Sequence, residues 1–74
     1  MPDRWPEMQF EVERDTVLSL TGKPPEPGLR IAYRLKGERR WTRFVAVGAD
    51  PADEELGATG LMLARQHWKA VRDA

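Results

Sequence analysis

The stretch "LRIAYRLKGERRWTRFVAV", Leu29 to Val47, decides the fold. Its first part, Leu29 to Leu35, has a large apolar side chain at every second position, which is typical of a half-buried strand. A second extended run, Arg39 to Val47, follows the turn residues "KGER". Gly37–Glu38 suits a two-residue type II′ turn, because glycine accepts the positive φ required at the first central position. The stretch therefore predicts an antiparallel β-hairpin.

The length of the hairpin loop decides which side chains face the core, because a slip of one residue exchanges the two faces of a strand. With a two-residue loop, at Gly37–Glu38 or at Lys36–Gly37, one face carries Ile31, Tyr33, Thr42, Phe44 and Ala46. The other face then carries five cations and a tryptophan: Arg30, Arg34, Lys36, Arg39, Trp41 and Arg43, with Val45 and Val47 nearer its end. A three-residue loop would reverse the faces and bury Trp41. The turn chemistry favours the two-residue loop.

Two further strands are predicted before the hairpin. "MQFEVE", Met8 to Glu13, alternates cleanly and indicates a half-buried strand. "TVLSLT", Thr16 to Thr21, also alternates, and a turn at Arg14–Asp15 would bring it beside the first strand. "KPPEPG", Lys23 to Gly28, contains three prolines, which stiffen the chain and exclude a helix or a paired strand. We therefore expect a loop at this segment and a sheet of three or four strands.

A C-terminal helix is predicted from Pro51 to about Arg72. Asp50 is a natural N-cap, and Pro51 suits the first helical position. Charges that complement the helix dipole are found at both ends: Asp53, Glu54 and Glu55 near the start, and Arg65, His67, Lys69 and Arg72 in the last half. The expected fold is one α+β domain over residues 1–74, in the order β-β-β-β-α. Its antiparallel sheet of three to four strands would be covered on one face by the helix.

The apolar arc of this helix is wider than a single sheet-facing stripe requires. The stripe predicted to cover the sheet comprises Leu56, Thr59, Gly60, Leu63, His67, Ala70 and Val71, with Gly60 allowing a close approach. A neighbouring line comprises Gly57, Leu61, Ala64 and Trp68. Two interpretations stay open. Either Trp68 folds over the sheet edge or onto Trp5 and the N-terminal segment, and the whole arc is core, or the line is an exposed strip that packs on a second copy or another protein.

Composition limits the classes of function. Twelve basic residues balance twelve acidic ones in a chain of 74 residues without cysteine. Neutral charge counts against a strong general affinity for nucleic-acid phosphates. Without cysteine there is no disulfide and no cysteine-based zinc site, which suits a reducing cytoplasm. The N-terminal "MPDRWPEMQF" has the features of neither a signal peptide nor a membrane anchor, so we expect a cytoplasmic protein with no membrane partner.

No catalytic group is predicted. His67 is the only histidine, and no cysteine or second histidine is present to form a nucleophile pair or a metal site. The acidic residues after Asp50 lack the ligand spacing of a calcium loop, and helix capping and the dipole explain them. No glycine motif for phosphate binding occurs. The sequence therefore favours a protein that is not an enzyme, with no metal, cofactor or small-molecule substrate.

The cations around Trp41 allow three interpretations: a solvated sheet face, a protein-docking surface or a nucleic-acid contact. Tryptophan and arginine are enriched at protein-interaction hot spots, whereas the neutral charge weakens the nucleic-acid interpretation. We therefore expect a non-catalytic protein-binding module. It would be a small regulator or inhibitor, of the kind found among phage and mobile-element proteins that dock on a larger protein. The alternatives are a nucleic-acid-binding module that uses the hairpin face and a small homodimeric structural domain.

Overall fold

The computed structural model describes residues 5–74 and shows a three-stranded antiparallel sheet followed by one α-helix. Strand β1 spans Met8–Val17, β2 spans Glu26–Leu35 and β3 spans Thr42–Val47. A single 3₁₀ turn, Asp53–Glu55, leads into helix α1, Leu56–Asp73. The strand order is β1-β2-β3, so β2 is central and the other two strands are the edges. The predicted α+β class with a C-terminal helix is confirmed.

The predicted fourth strand, Thr16 to Thr21, is wrong. The chain does not turn at Arg14–Asp15; β1 continues to Val17 and pairs with β2 along its whole length of ten residues. A long uninterrupted strand satisfies its backbone hydrogen bonds against one neighbour, and this outweighs the local alternation that suggested a second short strand. Leu18 and Leu20 consequently lie in the connection to β2, where they are 74% and 104% exposed.

The prediction that Lys23 to Gly28 forms no paired strand is wrong at its C-terminal end, where β2 begins. Pro27 is tolerated because it lies near the start of the strand. Its carbonyl still accepts a hydrogen bond from the N–H of Gly48 at 2.8 Å. Gly28 suits the next position because a Cβ there would lie 2.9 Å from Cγ2 of Val17. The proline-rich segment therefore ends as part of the central strand.

The predicted faces of the β2–β3 hairpin are confirmed. Ile31 lies opposite Phe44, and Tyr33 lies opposite Thr42. The rings of Tyr33 and Phe44 pack edge to face on the inner side of the sheet, with centroids 6.2 Å apart. This assignment of side chains to the two faces is the one expected from a loop with an even number of residues.

The predicted type II′ turn at Gly37–Glu38 is wrong, because the strands separate earlier and residues 36–41 form a wider loop. In this loop the N–H of Glu38 donates to the carbonyl of Leu35 at 3.0 Å, so Gly37 is the third residue of the turn, with φ of +90°. The Glu38 carboxylate also accepts the N–H of Leu35 at 3.0 Å, which stabilises this wider arrangement. β3 accordingly begins three positions after the predicted Arg39.

The predicted N-cap at Asp50 is also wrong. The Asp50 carboxylate accepts a hydrogen bond from the Arg14 guanidinium at 3.1 Å. The same guanidinium donates to the Asp53 carboxylate at 2.7 Å and to the Pro51 carbonyl at 2.6 Å. Because Arg14 lies on the inner face of β1, these bonds tie the end of that strand to the start of the helical region. The 3₁₀ turn and α1 both begin without a side-chain cap.

Helix α1 packs on β1 and β2 through small side chains. Gly60 allows a close approach as predicted, since a Cβ there would lie 2.8 Å from Cβ of Val12. Ala64, four residues later on the same face, is fully buried in the core, although the pattern assigned it to the neighbouring line. Ala70 and Val71 are exposed, so their predicted place on the sheet-facing stripe is wrong. The stripe covers the sheet only along the earlier turns of α1.

The main core lies between the inner face of the sheet and α1. Its buried members are Leu29, Ile31, Tyr33 and Ala64. Partly buried apolar side chains surround them: Met8, Phe10, Val12, Phe44, Ala46, Ala49, Leu56, Leu63 and Trp68. Neither helical segment within residues 5–74 has the length and apolar character needed to cross a membrane.

Candidate docking face of the sheet

The face of the sheet turned away from α1, which we call the open face, is built by every second residue of the three strands. The strand register assigns it Gln9, Glu11, Glu13, Asp15, Val17, Glu26, Gly28, Arg30, Ala32, Arg34, Arg43, Val45 and Val47. Trp41 extends this face just before β3, beside Arg34. Three of the five cations that the sequence assigns to this face, Arg30, Arg34 and Arg43, therefore share it, whereas Lys36 and Arg39 lie in the β2–β3 loop.

Arg30 of the central strand is held by two carboxylates of β1. Its guanidinium donates to Glu13 at 3.0 Å and to Asp15 at 2.8 Å. The hydrogen bond from Arg30 lowers the pKa of Asp15, and the N–H of Thr16 adds to this effect. The Asp15 carboxylate in turn raises the pKa of Arg30. The positive charge predicted here is therefore balanced within the protein.

Arg34 and Trp41 form a stacked pair at the other end of the open face. The Arg34 guanidinium carbon lies 4.7 Å from the centroid of the Trp41 ring, a cation–π distance. The Nε of Arg34 donates to the side-chain oxygen of Gln9 at 2.6 Å, which holds the guanidinium in place. Phe44 packs against the core cluster. The prediction that Phe44 and not Trp41 faces the core is confirmed.

The other cations predicted to bind a partner are held less firmly. Lys36 pairs with Glu7 at 3.4 Å, and both side chains are largely exposed. Arg39 and Arg43 form no ion pair with any residue of 5–74, and neither does the neighbouring Arg40. The cations free to meet a partner therefore lie around the β2–β3 loop and the start of β3.

The carboxylates of β1 are the part of this face that sequence reasoning missed. The alternation of residues 8–13 does assign Glu11 and Glu13 to one side of a strand. A turn at Arg14–Asp15, which the sequence predicts, would put residues 16–21 beside these acids, whereas the structure pairs them with β2. The uninterrupted run from Met8 to Val17, without glycine or proline, is the signal that indicates one long strand. The face predicted to be basic is a mosaic of both charges.

Apolar side chains occupy the end of the open face near the β1–β2 connection. Val45 and Val47 of β3 are 46% and 56% exposed. Leu18 and Leu20 of the connection are more exposed still, and the sequence had placed both in a strand. Exposed apolar side chains that are neighbours on one face, as Val45 and Val47 are on β3, are a feature of interaction surfaces. The open face therefore has a charged centre with Trp41 at one end and apolar residues at the other.

The second predicted contact line, on α1, is not a continuous exposed strip. Gly57 is exposed and Leu61 partly so, but Ala64 has no exposed surface. Trp68 packs edge to face on Trp5, with ring centroids 6.2 Å apart, as the core interpretation expected. The line is therefore divided between the core and the surface.

His67 lies among aromatic side chains at the edge of the core. Its Nδ1 is 2.8 Å from the Tyr33 hydroxyl, and its ring stacks on Phe44 with centroids 4.3 Å apart. Burial raises the pKa of Tyr33, so the hydroxyl stays protonated. These contacts give His67 a packing role. In the part of the chain that the structure describes, no three His, Asp or Glu side chains come together as a metal site.

Comparisons of the chain with models of known protein families, with curated protein sequences and with solved structures find no match.

Proposed function

We propose that this chain is a non-catalytic protein-binding module that docks on a larger protein through its open face. The observation that carries the proposal is the position of Trp41, which Arg34 holds on a sheet face that α1 leaves uncovered. Exposed Val45 and Val47 lie on the same face. Tryptophan and arginine are enriched at binding hot spots, where a large side chain is fully removed from water only in the complex.

The charge pattern favours a protein partner over a nucleic acid. Arg30 is shared by Glu13 and Asp15, and Glu11 lies one position further along the same face. A phosphate backbone that approached these cations would also meet the carboxylates, and its affinity depends on a surplus of positive charge. Protein interfaces accommodate both charges around an apolar contact.

A small regulator or inhibitor is the form of module that this surface suits best, since binding itself would be the activity. We place Trp41 and Val45 at the contact's centre. Arg43 lies between them along the chain and Arg39 would lie at the rim; neither has an ion pair within residues 5–74. The matching partner surface is apolar with carboxylates around it, because rim charges steer association with a surface of opposite sign.

Capture of proteins from a native host lysate tests the proposal when matched variants are compared. Trp41→Ala and Val45→Glu should each lose the captured protein and keep the native circular dichroism spectrum. Met62→Glu is the control, since it introduces the same charge as Val45→Glu at a similarly exposed apolar position, 50% against 46%, on α1. A partner that all three variants retain, or that Met62→Glu loses equally, would overturn docking through the open face.

A binding measurement with nucleic acids tests the alternative function, a nucleic-acid-binding module, directly. Binding of mixed DNA and RNA probes should be weak and nearly independent of salt between about 50 and 200 mM. A steep loss of tight binding across this range would show that several phosphates are contacted, and the protein-docking proposal would fail. Arg39, Arg40 and Arg43 would then be the contacts to mutate.

A further inference from the structure

The two edges of the sheet differ in what they offer to another strand. β1 has three carboxylates on its open-face side: Glu11, Glu13 and Asp15. β3 has exposed Val45 and Val47, with one charge, Arg43, near its start and no proline or acidic residue. Natural sheets protect their edges with charged side chains or proline, because an unprotected edge pairs with other strands. The centre of β3 lacks this protection.

The outward backbone groups of β3 belong to Arg43, Val45 and Val47. In an antiparallel ladder, alternate residues direct their N–H and C=O groups to the same neighbour. The N–H of Gly48 donates to Pro27 of β2, so the even-numbered residues of β3 face β2. The odd-numbered residues face outward, and no strand within residues 5–74 pairs with them.

We propose that β3 pairs with β3 of a second copy of this chain, antiparallel and centred on Val45. Val45 then lies opposite Val45 of the other copy, and Arg43 lies opposite Val47. On the inner face Phe44 lies opposite Ala46, so a large side chain meets a small one at both places. The two Arg43 side chains stay at opposite ends of the seam. The pairing places large side chains opposite small ones on the inner face and puts no like charges opposite each other.

Repulsion between carboxylates opposes the pairing of β1 with β1 of a second copy. There the outward residues are even-numbered, and Val12 is the middle one. An antiparallel pair centred on Val12 would put Glu11 directly opposite Glu13 of the second copy, and this clash would occur twice. Like charges directly opposite each other destabilise a strand pair. Self-association is therefore directed to β3.

The resulting dimer is closed. Two three-stranded sheets become one sheet of six strands, and in each copy α1 packs on β1 and β2 and reaches β3 through the stack of His67 on Phe44. Each copy contributes its one β3 edge, and both edges are used in the symmetric pair. This contact therefore cannot add a third copy. The pairing requires no other protein and does not rest on the proposed function, so each can fail without the other.

Sedimentation equilibrium from about 10 to 500 µM tests the dimer, which should form reversibly with concentration. Val45→Lys should raise the dimer dissociation constant at least about tenfold, because two ammonium groups would lie opposite each other. Val71→Lys is the matched control at a position 61% exposed on the last turn of α1, and it should have no effect. A native chain that stays monomeric throughout, or a dimer that both variants weaken equally, would overturn the proposal.

Introduced cysteines test the register, because the chain has none of its own. Val45→Cys should form a disulfide-linked dimer under mild oxidation, since directly opposite residues of a strand pair lie within disulfide reach. Arg43→Cys alone should not cross-link, whereas a mixture of Arg43→Cys with Val47→Cys should. Leu18→Cys controls for random collision. Equal cross-linking of Leu18→Cys and Val45→Cys, or a dimer abolished by Leu61→Glu but not by Val45→Lys, would exclude the β3 seam.

Discussion

Gly60 of α1 and Val12 of β1 lie so close together that a Cβ at Gly60 would be 2.8 Å from Cβ of Val12. Such a distance requires movement of the helix or the strand, because Val12 is β-branched and its Cβ cannot move away by a change of rotamer. The separation of helix and sheet therefore depends on the missing side chain at Gly60.

Gly60→Ala is expected to lower the free energy of unfolding by about 1–2 kcal/mol. Overpacking costs about 1–3 kcal/mol, and the better helix propensity of alanine offsets part of it. Gly57→Ala is the control in the same helix, because nothing lies within 4 Å of its Cβ position. It should stabilise the protein by about 0.5–1 kcal/mol. Urea denaturation measures both; a stabilised Gly60→Ala would show that the two elements separate freely.

Phe44→Ala should destabilise the fold much more than Trp41→Ala. Phe44 packs on Tyr33 and stacks on His67, so its removal should lower the free energy of unfolding by about 3 kcal/mol. Trp41 contacts Arg34 on the open face, and its removal should leave the melting temperature within a few degrees. Thermal melts of the two variants compare their losses of stability. The reverse order of stability would show that Trp41 belongs to the core.

Asp15 should titrate below its ordinary pKa of 3.8, because the hydrogen bond from Arg30 favours the ionised carboxylate. Since the folded pKa is below the unfolded one, this stabilisation is present above pH 3.8 and is lost as the pH falls through the folded pKa. Carboxyl-detected NMR measures the titration. Arg30→Gln should return the Asp15 pKa toward its ordinary value. A native Asp15 that titrates at or above 3.8 would contradict the pairing.

Arg14→Met should loosen the start of the helical region. The Arg14 guanidinium binds Asp50, Asp53 and the Pro51 carbonyl, but these groups are partly or largely exposed. We therefore expect a loss of only about 1 kcal/mol, which should shrink in high salt. Hydrogen exchange should accelerate at residues 53–58 and not in β2. Arg39→Met, which removes a cation without an ion pair within residues 5–74, should leave these amides unchanged.

The faces of the hairpin could be predicted because they depend only on local alternation and on an even number of loop residues. Tyr33, Phe44 and Trp41 therefore lie where the pattern predicts, although the turn itself is different. The approach of α1 to the sheet at Gly60 could also be predicted, since a glycine on the apolar side of a helix usually marks a place where the helix packs closely on its neighbour.

The features that could not be predicted depend on contacts distant in the sequence. Asp50 has the local character of an N-cap, but Arg14, 36 positions earlier, binds its carboxylate. The run from Thr16 to Thr21 alternates, but a long partner strand extends β1 through the expected turn. Glu13 and Asp15 of β1 are paired only because Arg30 binds them from 17 and 15 positions further along the chain. A local sequence pattern carries no information about the distant residues that compete for its side chains and backbone groups.

The stacking of Arg34 on Trp41, with Gln9 holding the guanidinium, has a consequence for any complex that uses this face. A large side chain that is mobile in the free protein loses about 0.5–1.5 kcal/mol of conformational entropy when an interface immobilises it. Here the ring is restricted by folding, so a partner meets a preorganised anchor. More of the contact energy then appears as affinity. In a complex of this kind, Arg34 would strengthen binding through its contact with Trp41.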